Sequence, residues 1–345
     1  MTDSLMQGKQ SIKFECPPAI ISSASIVGEM EGNGPLGSYY DQIESDPTFG
    51  QESWEKGESE MVRRAVQTAI SKSGLSKTDI RYIFGGDLLG QLIGTTFGLK
   101  DFNIPLFGLY GACSTCGESL SLAAMNVAAG YANHVIAVTS SHYGSAEKQF
   151  RFPLEYGNQR PLSATWTVTG SGAFIISGTT KSRPLSGYPQ ITGITTGKVV
   201  DYGVRDSMNM GACMAPAAAD TIYQCFEDFG IKPTYFDKII TGDLGKVGSE
   251  ILNKLLLDNG YNISSQHMDC GVEIYNNEKQ DTHSGGSGCG CAAVTLAGFI
   301  LHNLKKGGWK RILFVPTGAL LSTVSFNEGE TIPGIAHGLI IEKGD

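Results

Sequence analysis

The chain is 345 residues long, 41% hydrophobic and only 17% charged, with 45 glycines, which describes a tightly packed globular protein and excludes a disordered or fibrous one. A net charge of −8 and a pI near 5.3, without a basic run, exclude a nucleic-acid partner. The start M-T-D-S-L-M-Q-G-K-Q-S is polar, and no apolar run approaches the roughly 20 residues of a bilayer span. The eight irregularly spaced cysteines read as reduced thiols, so a soluble cytosolic protein is expected, with peripheral attachment through a partner left open.

In chain order, residues 17–29 read as an opening strand rich in β-branched residues. Residues 30–56 form a polar, Gly-rich and aromatic excursion, expected to cover a site or contact a partner. Residues 57–73 place Met61, Ala65 and Ala69 at helical spacing and stop at Gly74. A short buried strand at 80–84 runs into Gly-Asp-Leu, putting Asp87 at its C-terminal end. A small-residue helix follows at 113–129, stopped by Gly130, and then a strand at 135–139. An insertion at 142–169 and a link at 178–188 lead to a second opening strand at 189–201. Residues 215–229 form a helix ending at Gly230. Residues 238–241 form a strand into Gly-Asp-Leu again, with Asp243 read as a turn cap. A helix over about 287–306 and a strand at 311–315 close the chain.

The second list repeats the first. Gly74 and Gly230, and Asp87 and Asp243, share one spacing of 156 residues. Segments starting at Pro18 and Pro189, and at Gly130 and Gly307, match likewise, as do 172–177 and 337–342. The expectation is an α/β protein of two βαβαβ halves, 1–178 and 179–345, with buried parallel sheets.

Two glycine- and cysteine-rich junctions carry the candidate chemistry. In Y-G-A-C-S-T-C-G-E-S-L-S-L, residues 110–122, Cys113 stands where a strand meets a helix. Helix N–H groups and dipole lower a thiol pKa there, which is how a nucleophilic cysteine is made; a small packing residue is the alternative. T-H-S-G-G-S-G-C-G-C, residues 282–291, is the matching turn, with His283 at its mouth and backbone N–H groups suited to an anion. Zinc on Cys113, Cys116, Cys289 and Cys291 is disfavoured because these residues open helices instead of knuckles. Neither G-x-G-x-x-G nor a Walker pattern is present.

The duplication with a cysteine at the head of the first buried helix resembles the thiolase superfamily, which includes the ketoacyl synthases. The resemblance implies a thiolase-like fold of five α-β-α-β-α layers and a homodimer joined through its sheets. Cys113 matches the nucleophile position, and either His283 or Ser287 falls at the second-half histidine position. The synthase His-x-x-Asn segment falls on 241–245, which reads T-G-D-L-G and has no histidine, so the resemblance departs from the enzymes there. Over nearly the whole chain, Y-I-F-G-G-D-L-L-G-Q, Y-G-A-C-S-T-C-G-E-S-L and T-H-S-G-G-S-G-C-G-C-A-A-V are similar to the stage V sporulation AD family of spore-forming Firmicutes.

That likeness implies a non-catalytic protein that binds dipicolinic acid, or calcium-dipicolinate, during uptake in sporulation and release in germination. It implies peripheral placement at the spore inner membrane beside membrane-embedded stage V sporulation A proteins. No cofactor is implied beyond calcium accompanying dipicolinate. The ligand-binding residues implied are Asp87, Cys113, Ser114, His142, Thr169, His283 and Ser287, with no metal ligands. Two inward helix N-termini, near Cys113 and Ser287, match the two carboxylates of dipicolinate, whereas Asp87 repels a bare dianion. The alternative is an acyl-thioester condensing or thiolytic enzyme using Cys113.

Overall fold

A computed structural model describes residues 5–150, 159–179 and 185–344. Parts of the predicted insertion (151–158) and link (180–184) lie outside the described residues. The first half runs β1 (Ala19–Gly28), α1 (Trp54–Ser73), β2 (Tyr82–Asp87), α2 (Ile93–Leu99), β3 (Leu106–Gly108), α3 (Thr115–Ala128), β4 (His134–Ser141), α4 (Tyr143–Phe150) and β5 (Gly170–Ser177). The second half runs β6 (Gln190–Thr195), α5 (Met210–Phe229), β7 (Lys238–Thr241), α6 (Gly245–Asp258), β8 (His267–Asp269), α7 (Cys289–Thr295), β9 (Arg311–Val315) and β10 (Gly338–Glu342). Helix α7 continues through a π-turn (Leu296–Ile300) into Leu301–Lys306.

Local signals set the helix ends. The Ser53 hydroxyl accepts from the Lys56 amide at 3.3 Å and so starts α1 three residues ahead of the predicted position. Gly74 (φ +73°) and Gly230 (φ +62°) end α1 and α5 in the left-handed conformation that glycine adopts without strain.

Each half carries five main strands in the same order, β3-β2-β4-β5-β1 and β8-β7-β9-β10-β6. Short strands extend them: Gln42–Glu44 pairs with β1, and Ser11–Lys13, itself paired with Met6–Gln7, pairs with β6. Strands β1 and β6 meet at Ala19 and Gln190. The expectation of all-parallel sheets is corrected. Pairs β2–β3, β2–β4, β7–β8 and β7–β9 are parallel, but β5 and β10 run antiparallel to both neighbours. These strands are buried on both faces because helices cover both faces, so their unbroken apolar sequence does not reveal direction. The third strands, β3 and β8, are three residues long, too short for period-2 alternation to register.

Alternation within the strands builds three cores. Val135, Ala137, Phe174, Ile176, Ile240, Phe314, Leu339 and Ile341 face a central layer made by α3 and α7. Ile136, Val138 and Ile175 face α1 on one outside, while Ile239, Leu313, Val315 and Ile340 face α5 and α6 on the other. The result is the five-layer α-β-α-β-α stack. Small residues let the central layer close in. A Cβ on Gly172 of β5 would stand 2.7 Å from the Ala293 carbonyl carbon of α7, and one on Gly290 would stand 2.4 Å from the Gly170 carbonyl oxygen. The parallel strands end near the N-termini of α3 and α7, where ligands collect in α/β sheets.

The 30–56 excursion is divided: Leu36 and Tyr40, with Met30 and Tyr39 beside them, pack into the central core, and Phe49 is fully buried in the outer layer of the first half. No helix of the described residues is long and apolar enough to cross a membrane.

Candidate functional site

Cys113 sits in a strained turn just ahead of α3. Ala112 holds φ +50°, a left-handed conformation that costs a residue with a Cβ about 1 kcal/mol or more. The turn is locked by its neighbours: Ser114 Oγ donates to the Gly111 carbonyl at 2.7 Å, and Thr115 Oγ1 donates to the Ala112 carbonyl at 2.7 Å. Ser114 therefore spends its hydroxyl on the turn. Gly318, in the short strand Thr317–Ala319, backs it so closely that a Cβ would meet the Gly111 carbonyl oxygen at 2.4 Å.

Opposite Cys113, the second-half junction supplies Ser287 and Asp243. Cys113 Sγ lies 3.8 Å from Ser287 Oγ, which donates to Asp243 Oδ2 at 2.8 Å. The Gly288 amide donates to the same oxygen at 2.9 Å, and Thr317 Oγ1 donates to Asp243 Oδ1 at 2.7 Å. Asp243 is 1% exposed. Burial raises its pKa, and the donors from Gly288, Thr317, Cys113 and Ser287 counter that by favouring the carboxylate. Asp243 thus stands behind Ser287, reaching across to Gly288 and Thr317 instead of capping its own turn.

Of the two readings of Cys113, nucleophile or small packing residue, its surroundings favour the second. Burial, followed by the Asp243 charge, pushes the Cys113 thiol well above its ordinary value, with only Ser287 and the Gly288 amide opposing. A helix N-terminus beside a buried carboxylate and no imidazolium does not make a thiolate.

Two cavities meet in this region. The inner one, about 60 Å³, reaches Cys113, Ser287, Glu147 and Thr167. The outer cleft, about 530 Å³, is lined by Glu55, Glu58, Asp87, Gln91 and Ser145 among others. Leu88, Tyr110, Phe150 and Leu321 line both and form an apolar neck between them. Among the described residues, neither cavity is lined by Lys, Arg or His. In the outer cleft, Glu58 accepts from Ser140 Oγ at 2.9 Å and from Ser145 Oγ at 2.6 Å. Burial and then the Asp87 charge push Glu58 up to about 8. Asp87 is also raised by burial, and accepts from the Thr95 amide and hydroxyl at 2.9 and 2.8 Å and from the Leu89 amide at 3.1 Å.

The other candidates lie elsewhere. His142 is buried with Nε2 donating to the Pro47 carbonyl at 2.7 Å and Nδ1 accepting from the Gly144 amide at 3.0 Å. Burial lowers its pKa, so it is neutral. Thr169 Oγ1 accepts from the Tyr143 amide at 3.1 Å, and its own amide donates to Glu31. His283 engages the Pro161 carbonyl at 2.9 Å and Asp281 at 3.1 Å. None of these three lines either cavity. The fold brings Cys113 and Ser287 together, and sets Asp87 in the outer cleft.

Sequence reasoning passed over Glu58, Glu147, Thr317 and the reach of Asp243 to Ser287 and Gly288. Glu58 carried a signal, because it stands three residues before Met61 on the buried face of α1. Among the described residues no group of three or more His, Cys, Asp or Glu is placed to hold a metal ion, the four cysteines included.

The sequence matches the profile of the stage V sporulation protein AD family (SpoVAD) over residues 8–342. The chain belongs to that family. It is 43% identical over 338 residues to stage V sporulation protein AD of Bacillus subtilis strain 168, covering 98% of each. Three-dimensional likeness reaches further. AbyA1, a tetronic acid condensing enzyme, aligns with a TM-score of 0.59 at 14% identity, over 94% of this chain and 99% of its own. Xanthomonas campestris OleA aligns with a TM-score of 0.60 at 13% identity, over 96% and 97%. The 3-oxoacyl-[acyl-carrier-protein] synthase III of Aquifex aeolicus VF5 aligns with a TM-score of 0.54 at 13% identity, over 94% and 99%. At these identities the likeness establishes a thiolase-like fold and nothing about chemistry.

Proposed function

We propose that this SpoVAD-family chain serves stage V of sporulation as a non-catalytic binder of dipicolinate, taken as its calcium complex in the cavity system beside Cys113. One observation carries the non-catalytic reading: the polar group facing Cys113 is a buried aspartate relayed through Ser287, not a histidine. A carboxylate there opposes thiolate formation and offers no proton to a leaving group. The calcium form is favoured by charge. Glu147, Asp87, Glu58 and Glu55 line the two cavities without a basic residue among those described, and although Glu58 holds its proton up to about pH 8, the acidic lining offers a bare dianion no counter-charge, whereas a neutral complex needs none. Around the ring, the neck of Leu88, Tyr110, Phe150 and Leu321 supplies apolar contact. We place the chain at the spore inner membrane as a peripheral homodimer beside membrane-embedded stage V sporulation A proteins, on the strength of its family.

Calorimetry with dipicolinate, with and without calcium, tests the reading. Binding is expected to strengthen with calcium and to be lost in a folded Cys113→Trp variant, whose indole fills the inner cavity. Unchanged affinity in that variant would place the ligand elsewhere. Intact-mass measurement after incubation with acyl-coenzyme A tests the enzyme alternative. No adduct is expected, and a stable acyl group on Cys113 overturns the non-catalytic assignment.

A further inference from the structure

One edge of the second half carries concentrated positive charge on a chain of net charge −8. Lys305 and Lys306 end the helical segment Leu301–Lys306, Lys310 precedes β9, and Lys343 follows β10. All four are exposed, and none forms an ion pair among the described residues. In sequence the lysines are split by Gly307, Gly308 and Trp309, so no run is visible; folding completes the cluster. The Lys343 amide donates to the Lys310 carbonyl at 2.8 Å. Lys343 Nζ lies 3.0 Å from where a Cβ on Gly307 would stand, so the glycine leaves room for the ammonium.

The nearby carboxylates are already spent. Asp237 accepts from the amides of Lys310 and Arg311 at 2.6 and 2.9 Å. Glu342 pairs with Arg311 at 2.6 Å, and Asp41 pairs with Lys72 at 2.8 Å. Partial burial and then the Lys72 charge lower the Lys305 pKa, and Asp41 opposes them in part. Complementing the C-terminal helix dipole accounts for Lys305 and Lys306. It does not account for Lys310 and Lys343, which come from other segments. Trp309 sits half-buried among them at the end of an aromatic row, edge-on to Phe299 at 5.7 Å, with Phe299 edge-on to Tyr39 at 5.1 Å.

We propose that the lysine edge around Trp309 is a docking surface for an anionic lipid bilayer. Separate ammonium groups from three chain segments are point charges without the fixed fork that selects one carboxylate or phosphate geometry. They suit a diffuse plane of negative headgroups, and a half-buried tryptophan suits the interfacial layer beside them. The overall negative charge does not cancel the attraction, because charges beyond roughly 8 Å are screened at physiological salt. The edge lies at the N-terminal end of β9, whereas the opposite end of that strand leads through Thr317 to Ala319 at the inner cavity. Docking by this edge therefore leaves the cleft directed away from the headgroups.

The test is co-sedimentation of the full chain with vesicles of equimolar phosphatidylglycerol and phosphatidylcholine, against phosphatidylcholine alone, at low and raised salt. Binding is expected only with the anionic vesicles, weakening as salt rises. Each lysine is worth roughly fivefold in partitioning. The combined Lys305→Gln, Lys306→Gln, Lys310→Gln and Lys343→Gln variant should therefore bind at least about 100-fold more weakly, with an unchanged melting temperature and unchanged dipicolinate titration. Equal partitioning onto neutral vesicles, undiminished binding by the quadruple variant, or no binding by the unmodified chain overturns the proposal. Binding of polyglutamate without binding of vesicles overturns it too, and assigns the edge to an acidic protein.

Discussion

Replacing Asp243 by Asn keeps the shape of the site and removes the charge that opposes the Cys113 thiolate. The sulfur and carboxylate interact directly and are also linked through Ser287 by contacts of 3.8 and 2.8 Å, so about 7 Å is the outer limit of their separation. At an effective dielectric constant near 20, a charge even at that limit is worth roughly 2 kcal/mol. That corresponds to a fall of between about 1 and 2 pKa units for the thiol, and a rise of roughly 10- to 100-fold in thiolate at a pH below its pKa. Asn also donates where Asp accepted, and Ser287 is free to turn its hydroxyl toward the sulfur. The assay is the pH dependence of alkylation by iodoacetamide, with the modified residue identified by mass spectrometry. A Cys16→Ser background removes the one cysteine that is not buried. A Cys113→Ser control sets the baseline. A rate change below about threefold, in a variant that melts normally, would mean that Asp243 carries a proton at neutral pH. The electrostatic account of the silent thiol would then be wrong.

Asp243→His should go further, since an imidazolium stabilises a thiolate; acyl transfer from acyl-coenzyme A onto Cys113, absent in the parent, is the expected readout by intact mass. Glu58 lies at about 8 in the folded chain against an ordinary 4.5, so its contribution is present below pH 4.5 and is lost as pH rises through about 8. Glu58→Gln should accordingly gain stability relative to the parent across that window, measured by thermal unfolding at stepped pH; parallel curves would refute it. Ala112→Gly relieves the φ of +50° and should stabilise by about 1 kcal/mol in urea unfolding; destabilisation would show that the turn is unstrained. Gly172→Val drives a side chain into Ala293 of α7 and should cost about 1–3 kcal/mol or more; a neutral result would mean that the central layer yields easily.

The doubling and most of the long elements were legible because repeated strand, helix and glycine signals recur at one spacing, whereas the five-layer stacking came only with the resemblance to the thiolase superfamily. Helix ends followed from Ser53, Gly74 and Gly230, where one residue decides the conformation. The antiparallel β5 and β10 were not legible, since burial on both faces erases the pattern that distinguishes strand direction. The site was legible at Cys113 and Ser287, both fixed by short glycine-rich turns. His142 and His283 attracted notice for their chemistry, yet their partners, the Pro47 and Pro161 carbonyls, are backbone groups distant in sequence. A sequence shows which side chains are able to act. It does not show which are already occupied.

Asp87 and Asp243 make the point most sharply, because they are the same position written twice. Asp87, at the end of β2, turns to the start of α2 and holds Thr95. In the second half the corresponding helix, α6, is held instead by Asp269 at the end of β8, which accepts from the Leu244 and Gly245 amides at 2.8 and 3.0 Å. The first half has Gly108 at the end of β3, with no carboxylate to offer. Asp269 therefore takes over the work that Asp87 does alone, and Asp243 is released to face Ser287 and Cys113. Asp269→Asn offers the matching perturbation. It removes a buried acid raised to about 7 while keeping one acceptor, so α6 should loosen, with faster amide exchange at Leu244 and Gly245, before the cavity changes. If exchange quickened first at Ser287 and Gly288, Asp243 would be the anchor of α6 after all, and the division of labour between the two aspartates would fail.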